Sequence, residues 1–320
     1  MKHFLLTLTL LLNALGALAQ ATLEEGVQLF QQKEYEKAVG IFISYAERGD
    51  VKAQFVVGRC YENGLGVLKD EKKAAYWFEK AAMQGDASAQ QYIGDYYYEG
   101  LGGIEQNFEK AVSWYEKSAN QGNADAQNNL ANCYFTGRGV PQNFDKAASL
   151  YEKAAVQGVD LAQYSLGNCF HLGRGVPQDD EKAMYWYLQT ANKGHAGALY
   201  NIGVCYANGY GVKQDAAQAV GWYEKSANLG YLAAQYNLGI CYETGNGIAQ
   251  DYEKAVYWYQ QGANKGYADS QNNLGVCYHK GHGVSKDDLL ALYWFEKAAA
   301  QGHEKAKENV CVVKTQLGLP

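Results

Sequence analysis

The chain has 320 residues, of which 48% are hydrophobic, 36 are Gly and 27 are Tyr. This apolar content excludes a disordered protein. The net charge of −6 at pH 7 and the even spread of the Lys residues exclude a general nucleic-acid binder, which would present a basic surface.

The first predicted element is a secretory signal peptide over residues 1–19. Lys2 supplies a positive charge, residues 4–12 form a short apolar run, and residues 17–19 (Ala-Leu-Ala) are the small residues that a signal peptidase reads. The run is shorter than the about 20 residues that a membrane span requires. A short amphipathic helix is the alternative interpretation. We expect an exported mature chain, periplasmic or secreted, without an integral membrane span.

The rest of the chain is dominated by a tandem repeat. Residues 20–49 have a two-helix pattern and are predicted to form an N-terminal helical cap. Residues 50–302 divide into seven units, and residues 303–320 are predicted to form a C-terminal capping helix. The predicted units are 50–85, 86–122, 123–158, 159–194, 195–230, 231–266 and 267–302.

Each unit is predicted to contain two helices. The first carries apolar residues four apart, as in Ala126, Leu130 and Tyr134, and ends at a Gly such as Gly137. The second begins after a short polar residue that can accept hydrogen bonds from the free N–H groups of its first turn. These capping residues are Asp70, Asn107, Asn143, Asp179, Asp215, Asp251 and Asp287.

A single helix pair cannot bury its apolar face, whereas stacked pairs can. The predicted fold class is therefore all-α, a right-handed superhelical α-solenoid of stacked helix-turn-helix repeats. The pattern Ala-x-Ala-x(3)-Leu-Gly-x(2)-Tyr-x(2)-Gly-x-Gly-Val, followed by Lys-Ala-x(2)-Trp-Tyr-x-Lys-Ala-Ala, closely resembles the Sel-one-like repeat, a relative of the tetratricopeptide repeat. Departures from this pattern are few. Tyr96 replaces the Cys that stands directly before the Tyr or Phe of the first helix in the other units, and Leu150 replaces the Trp of the second helix.

The resemblance implies a scaffold that binds other proteins. Exported bacterial members of this family serve cell-envelope assembly, exopolysaccharide export or contact with host cells. We therefore expect a non-catalytic adaptor whose partners are proteins or peptide segments. The alternatives are a peptidoglycan- or carbohydrate-binding envelope protein and a hydrolase that acts on the cell wall or on β-lactam compounds.

The Gly-x-Gly loops could be mistaken for phosphate-binding loops. A phosphate-binding glycine loop follows a strand and opens a helix, whereas Gly137-Arg138-Gly139 follows a predicted helix. The central residue also varies freely between units. We predict a helix–helix turn and no cofactor.

Six Cys share one position of the repeat, and Cys311 lies out of register. Each unit holds a single Cys, and equivalent residues of stacked helices lie about 8–10 Å apart, which exceeds the about 7 Å limit for the Cα atoms of a disulfide. We therefore predict free thiols that pack as small apolar residues. In some members of the resembled family, two Cys per unit form a bridge, and this chain lacks the second.

Neither the Trp nor the His residues are predicted to form a binding site. All six Trp share one position of the second helix, where core packing is preferred to sugar stacking. His279 and His282 form the only close His pair, but they lack the third ligand of a metal site. We predict no metal site and no catalytic site.

By analogy with tetratricopeptide arrays, the first helices line the inner concave wall of the solenoid. Their positions between the apolar stripe vary from unit to unit, which is typical of an exposed surface. Tyr164, Tyr200 and Tyr236, beside Val204 and Ile240, are the preferred contact, and a half-buried column that supports the curve is the alternative. The predicted partner-binding residues are Phe55, Arg59, Gln91, Asp95, Asn128, Asn132, Tyr164, Asn168, Tyr200, Tyr236 and Asn272.

Overall fold

A computed structural model describes residues 22–320, so the predicted signal peptide lies outside the described residues. These residues form 17 α-helices and no β-strand. The helices belong to two compact units, with unit 1 ending at Asn143 and unit 2 spanning Phe144–Pro320. Each unit is described separately.

In unit 1, every helix packs against the next helix of the chain. The first two helices precede the repeats, and the other five belong to the first three repeats. The helices are α1 (Leu23–Gln31), α2 (Tyr35–Glu47), α3 (Val51–Asn63), α4 (Glu71–Met83), α5 (Ala87–Glu99), α6 (Phe108–Asn120) and α7 (Ala124–Thr136).

In unit 2, neighbouring helices pack in the same sequential manner. Its helices are α8 (Phe144–Val156), α9 (Asp160–Leu172), α10 (Asp180–Ala191), α11 (Ala196–Asn208), α12 (Ala216–Asn228), α13 (Leu232–Thr244), α14 (Tyr252–Asn264), α15 (Ala268–Lys280), α16 (Asp288–Ala300) and α17 (Glu304–Leu317). Within residues 22–320, no helix combines the length and the apolar character needed to span a bilayer.

The helix boundaries follow the predicted capping residues. The Asp70 side chain accepts a hydrogen bond of 3.0 Å from the Lys73 backbone N–H at the start of α4. The equivalent contact starts α6, α10, α12, α14 and α16. Gly137 ends α7 with a φ of 74°, in the left-handed conformation that glycine adopts without strain. The predicted helix–helix turn is confirmed.

The second glycine of each loop has a further role that the sequence did not reveal. A Cβ atom on Gly139 would lie 2.4 Å from the Phe108 carbonyl carbon, and one on Gly211 would lie 2.3 Å from the Asp180 carbonyl oxygen. Both contacts fall on the first turn of the second helix of the preceding repeat. The loop is therefore a stacking contact between repeats, and only glycine allows this approach.

In six of the seven repeats a buried Gln on the first helix bonds to the end of the preceding helix, and Leu199 takes this position in the fifth repeat. The Gln54 side-chain amide donates to the Ala46 carbonyl at 3.0 Å, and the Gln163 amide donates to the Ala155 carbonyl at 3.1 Å. These carbonyls belong to the last turn of a helix, and each also accepts a 3.0 Å bond from a backbone N–H, that of Gly49 or Gly158. The Gln side chains thus add a second hydrogen bond to helix C-termini at the repeat junctions, which accounts for these polar residues in the core.

The cysteines are free, and the six that share a repeat position are buried. The Trp prediction needs a correction. Five Trp are only half-buried, and Trp294 alone is buried, whereas the aromatic residue that follows each Trp lies in the core. Phe78 and Tyr187 exemplify these core rings, with 0% and 1% exposure. The apolar stripe of the second helix is centred one residue further along than the Trp.

Candidate partner-binding surface

The predicted partner-binding residues all lie on first helices of the repeats, but they are less exposed than expected. Gln91, Asn128 and Asn272 are buried, with exposures of 9%, 5% and 4%. The remaining members are half-buried: Phe55, Arg59, Asp95, Asn132, Tyr164, Asn168, Tyr200 and Tyr236. The expectation of a surface free of packing constraints was wrong, because these side chains also contact the second helix or the next repeat.

In unit 1 the surface centres on a polar cluster formed by Asp95, Gln91, Tyr115 and Asn129. The Tyr115 hydroxyl donates to Asp95 Oδ1 at 2.7 Å, and Asn129 Nδ2 donates to the same oxygen at 2.9 Å. The Gln91 amide donates to the other carboxyl oxygen. Asp95 in α5 therefore connects α6 of its own repeat with α7 of the next.

Burial raises the pKa of the Asp95 carboxyl from its usual 3.8 to about 6. The hydrogen bonds from Tyr115 and Asn129 act in the opposite direction, because they stabilise the charged form. The nearby carboxyls of Asp125 and Glu62 raise the pKa further. Asp95 is thus a desolvated acid whose pKa lies well above that of an exposed carboxyl.

A small cavity of about 250 Å³ lies beside this carboxyl. Its lining residues all carry a polar group and come from three helices. The lining residues are Asp95, Tyr98, Glu99, Tyr115, Asn129 and Asn132. Pockets that enclose a whole small ligand usually measure about 300–1,000 Å³, so this cavity suits one side chain or a comparably small group.

In unit 2 the surface carries a tyrosine ladder formed by Tyr164, Tyr200 and Tyr236. Each ring packs against the core tyrosine of its own repeat, with ring centroids 5.8–6.1 Å apart. Each ring also contacts the aromatic residue that starts the next repeat, at 4.6–5.8 Å. The rings therefore support the stack of repeats and remain half exposed, and the partner contact stays a prediction.

Beside the ladder, the next column of the first helices is apolar in the later repeats. Val204, Ile240 and Val276 are half-buried there, whereas Asn132 and Asn168 occupy the same column in the third and fourth repeats. The surface of unit 2 therefore changes along the chain from polar to aliphatic. Half-exposed aliphatic and aromatic side chains are those that protein interfaces bury at their centres.

A column of Asn residues was missed in the sequence. Asn201 Nδ2 donates to Asn168 Oδ1 at 3.0 Å, and Asn309 Nδ2 donates to Asn272 Oδ1 at 2.9 Å. Asn129 bonds to Asp95 from the same repeat position. The amides of Asn129 and Asn201 join the first helix of one repeat to that of the preceding one, and Asn309 joins the capping helix to the first helix of the seventh repeat. The recurrence of Asn at one position of the repeat was the sequence signal that could have revealed this column.

The His residues take part in local contacts. His279 Nδ1 lies 2.6 Å from Asp288 Oδ1, and His171 makes the same contact with Asp180. The His282 ring lies 4.6 Å from the Tyr252 ring. Residues 22–320 contain no group of three or more His, Cys, Asp or Glu side chains that could hold a metal ion.

A family model for the Sel1 repeat matches seven consecutive segments of the chain: 51–86, 87–123, 124–159, 160–195, 196–231, 232–267 and 268–303. The chain belongs to the Sel1 repeat family. Among curated proteins, none has significant similarity to it.

Solved structures agree with this assignment. A protective antigen present in uropathogenic Escherichia coli strains, which displays an SLR fold, is 34% identical, with a TM-score of 0.82. The match covers 97% of this chain and 67% of the antigen. A Sel1 repeat protein from Oxalobacter formigenes is 32% identical over 89% of this chain and 85% of its own, with a TM-score of 0.69. The fold class is an all-α repeat solenoid, as predicted.

A more distant likeness concerns the fold alone. The Cut9–Hcn1 hetero-tetramer of the APC/C is 18% identical over 90% of this chain and 54% of its own, with a TM-score of 0.53.

Sel1 repeat solenoids generally serve as non-catalytic scaffolds for protein–protein interactions.

Proposed function

We propose that the protein is an exported, non-catalytic adaptor that binds protein segments on the first-helix surface of its repeats. One observation carries the proposal: the tyrosine ladder and the aliphatic column beside it form a half-exposed apolar surface in unit 2. Tyrosine is enriched at interface hot spots because it provides a large, rigid contact area and a hydroxyl group. The secretory signal predicted over residues 1–19 supports an envelope or host-contact role.

The test removes the aliphatic column without disturbing the scaffold. Val204→Asn combined with Ile240→Asn introduces the residue that the third and fourth repeats already carry at this position, so the fold should be retained. We expect capture of partner proteins from the native envelope or host-cell extract, measured by mass spectrometry after cross-linking, to fall at least about tenfold, which corresponds to about 1.4 kcal/mol.

The matched control removes apolar groups elsewhere. Leu161 and Leu229 are 58% and 56% exposed, and they lie at the start of α9 and after the end of α12. Leu161→Asn with Leu229→Asn should leave capture unchanged. Equal capture by the parent and by the Val204→Asn, Ile240→Asn variant would place the binding surface elsewhere.

A glycan-binding role is the second candidate, and a separate observation favours it. Four second helices carry a Tyr followed by a Trp whose rings meet edge to face at 5.0–5.1 Å. The Tyr rings of these pairs are 46–55% exposed: Tyr76, Tyr185, Tyr257 and Tyr293. Exposed aromatic faces of this kind can stack on sugars. Binding of the parent protein to peptidoglycan fragments on a glycan array, lost in Tyr257→Ala with Tyr293→Ala, would favour this role over the adaptor.

A further inference from the structure

The polar cluster in unit 1 has a close counterpart in the fourth repeat, where Asn168 occupies the position of Asp95. Asn168 Oδ1 accepts hydrogen bonds from the Tyr187 hydroxyl at 2.8 Å and from Asn201 at 3.0 Å. Asp95 Oδ1 accepts the equivalent two bonds at 2.7 and 2.9 Å. A neutral amide therefore makes both contacts that join the helices, and the stacking of repeats does not require a carboxylate.

The carboxylate in place of the amide has an energetic cost. A desolvated charge destabilises the folded protein unless a partner of opposite charge compensates for it. The polar neighbours of Asp95 are neutral donors, and the charged groups that act on it, Asp125 and Glu62, have the same sign. Arg59 lies one repeat earlier at the same position, but it pairs with Glu62 at 3.2 Å.

The cavity beside Asp95 provides room for the missing positive charge. Glu99 adds a second carboxylate at its wall, and Tyr98, Asn129 and Asn132 add hydroxyl and amide groups. The nearby Arg138 is exposed, and its guanidinium donates a hydrogen bond of 2.8 Å to the Tyr98 hydroxyl. Carboxylates with neighbouring oxygen acceptors match the several N–H donors of a guanidinium or ammonium group.

We propose that this cavity, which Asp95 and Glu99 line, binds the cationic side chain of an Arg or Lys residue in a partner segment. The proposal rests on the adaptor function, because it names a recognition element of the partner. It concerns unit 1, whereas the apolar surface that carries the adaptor proposal lies in unit 2, so the two can fail independently.

The probe is a blocked pentapeptide, Ala-Ala-Arg-Ala-Ala, added to the whole mature protein and followed by NMR of the Asn129 and Asn132 side-chain amides. The controls are the same peptide with citrulline, which keeps the shape of Arg and removes its charge, and with Lys. We expect the Arg and Lys peptides to shift these amide signals saturably and the citrulline peptide to bind at least about tenfold more weakly. Equal binding of the citrulline peptide would overturn the proposal.

Asp95→Asn tests the carboxylate itself. The variant should fold, because Asn168 shows that Asn fits this position, and it should bind the Arg peptide at least about tenfold more weakly. Asn168→Asp is the matched control, since it adds the same charge where His171 and Leu172 replace Tyr98 and Glu99; it should leave binding of the Arg peptide unchanged. A gain of binding in Asn168→Asp that equals the loss in Asp95→Asn would indicate bulk charge and would contradict the proposal.

The pH dependence gives a second readout. The cation binds the ionised carboxylate, so lowering the pH from 7.5 to 5 should weaken binding of the Arg peptide about tenfold, given the pKa of about 6. Asp95→Asn should show no such dependence. If Asp95→Asn does not fold, Glu99→Gln provides the charge test on an exposed residue, with an expected loss of about two- to threefold. Unchanged binding in Glu99→Gln together with a pH-independent parent would overturn the proposal.

Discussion

Asp95 in unit 1 and Asn168 in unit 2 occupy the same position of the repeat. They accept hydrogen bonds from two equivalent donors, and they differ by one charge. Both accept a bond from the core tyrosine of the second helix and from the Asn of the next repeat. The comparison separates two tasks that share a position. The oxygen that accepts these two bonds serves the scaffold, and the other carboxyl oxygen of Asp95 accepts a bond from Gln91. The negative charge itself meets no group of opposite sign among these contacts, so it can serve a ligand.

The surroundings of Asp95 and Asn168 also differ in polarity. Asp95 is flanked by Gln91 and Asn129 and lines a cavity, whereas Asn168 lies one turn after Tyr164, the first residue of the tyrosine ladder, and Val204 of the aliphatic column takes its position in the next repeat. The same repeat therefore carries polar side chains around Asp95 in unit 1 and half-exposed apolar side chains on the first helices of unit 2.

The largest expected effect tests whether the scaffold beneath the two residues is the same. A Cβ atom on Gly94 would lie 2.6 Å from Cε1 of Tyr115, and one on Gly167 would lie 2.6 Å from Cε1 of Tyr187. Gly94→Val and Gly167→Val should each lower the free energy of unfolding by about 2–3 kcal/mol, because the added atoms overpack the helix pair. Urea denaturation followed by circular dichroism measures the loss.

The third repeat supplies the control for these variants. Ala131 occupies the same position there, so Gly94→Ala and Gly167→Ala should cost less than the valine variants. A loss in only one unit would show that the two helix pairs are packed differently, and the comparison of Asp95 with Asn168 would then no longer isolate the charge.

The next effect concerns pH and stability. The pKa of Asp95 is higher in the folded protein than its usual 3.8, so the folded state binds more protons than the unfolded state between about pH 4 and 6. The stabilisation that this extra proton binding gives the folded protein is fully present below the pKa of Asp95 in the unfolded state. It is lost as the pH rises through the pKa of Asp95 in the folded state. As the pH rises from 4 to 7.5, the free energy of unfolding of Asp95→Asn should therefore increase by on the order of 2 kcal/mol relative to that of the parent.

Asn168→Asp should show the opposite behaviour, with stability that falls over the same pH range. The measurement is the urea midpoint of the parent and of both variants at several pH values. If the parent and Asp95→Asn keep a constant difference across this range, Asp95 is not desolvated and the contrast with Asn168 loses its physical basis.

The repeated positions made the fold predictable, and the positions that vary made the surface harder to predict. A glycine after each first helix and an Asp or Asn before each second helix have local causes that a single chain reveals. The partners of Gln54 and Asn201 lie in the preceding repeat, so their roles depend on a packing geometry that the sequence does not state. Tyr200 looked exposed for the same reason, because its contacts with Tyr223 and Tyr231 arise only when repeats stack.

The smallest effect is expected where the two units are alike. Cys133 in unit 1 and Cys169 in unit 2 are 0% and 1% exposed, and burial raises the pKa of each thiol to about 11. Such thiols react slowly, because reagents attack the exposed thiolate. In the native mature protein only the exposed Cys311 should react rapidly with a thiol reagent, and all seven Cys should react after denaturation without reduction.

The rates of the six buried thiols also test local opening, which exposes a residue without global unfolding. Mass mapping of the labelled peptides over time should give Cys133 and Cys169 similar rates, since both are buried at the same position of their repeats. Five or fewer reactive thiols in the denatured, unreduced protein would instead indicate a disulfide. Faster labelling in one unit would show that this unit opens more readily, and the difference between its surface and that of the other unit would then include mobility as well as chemistry.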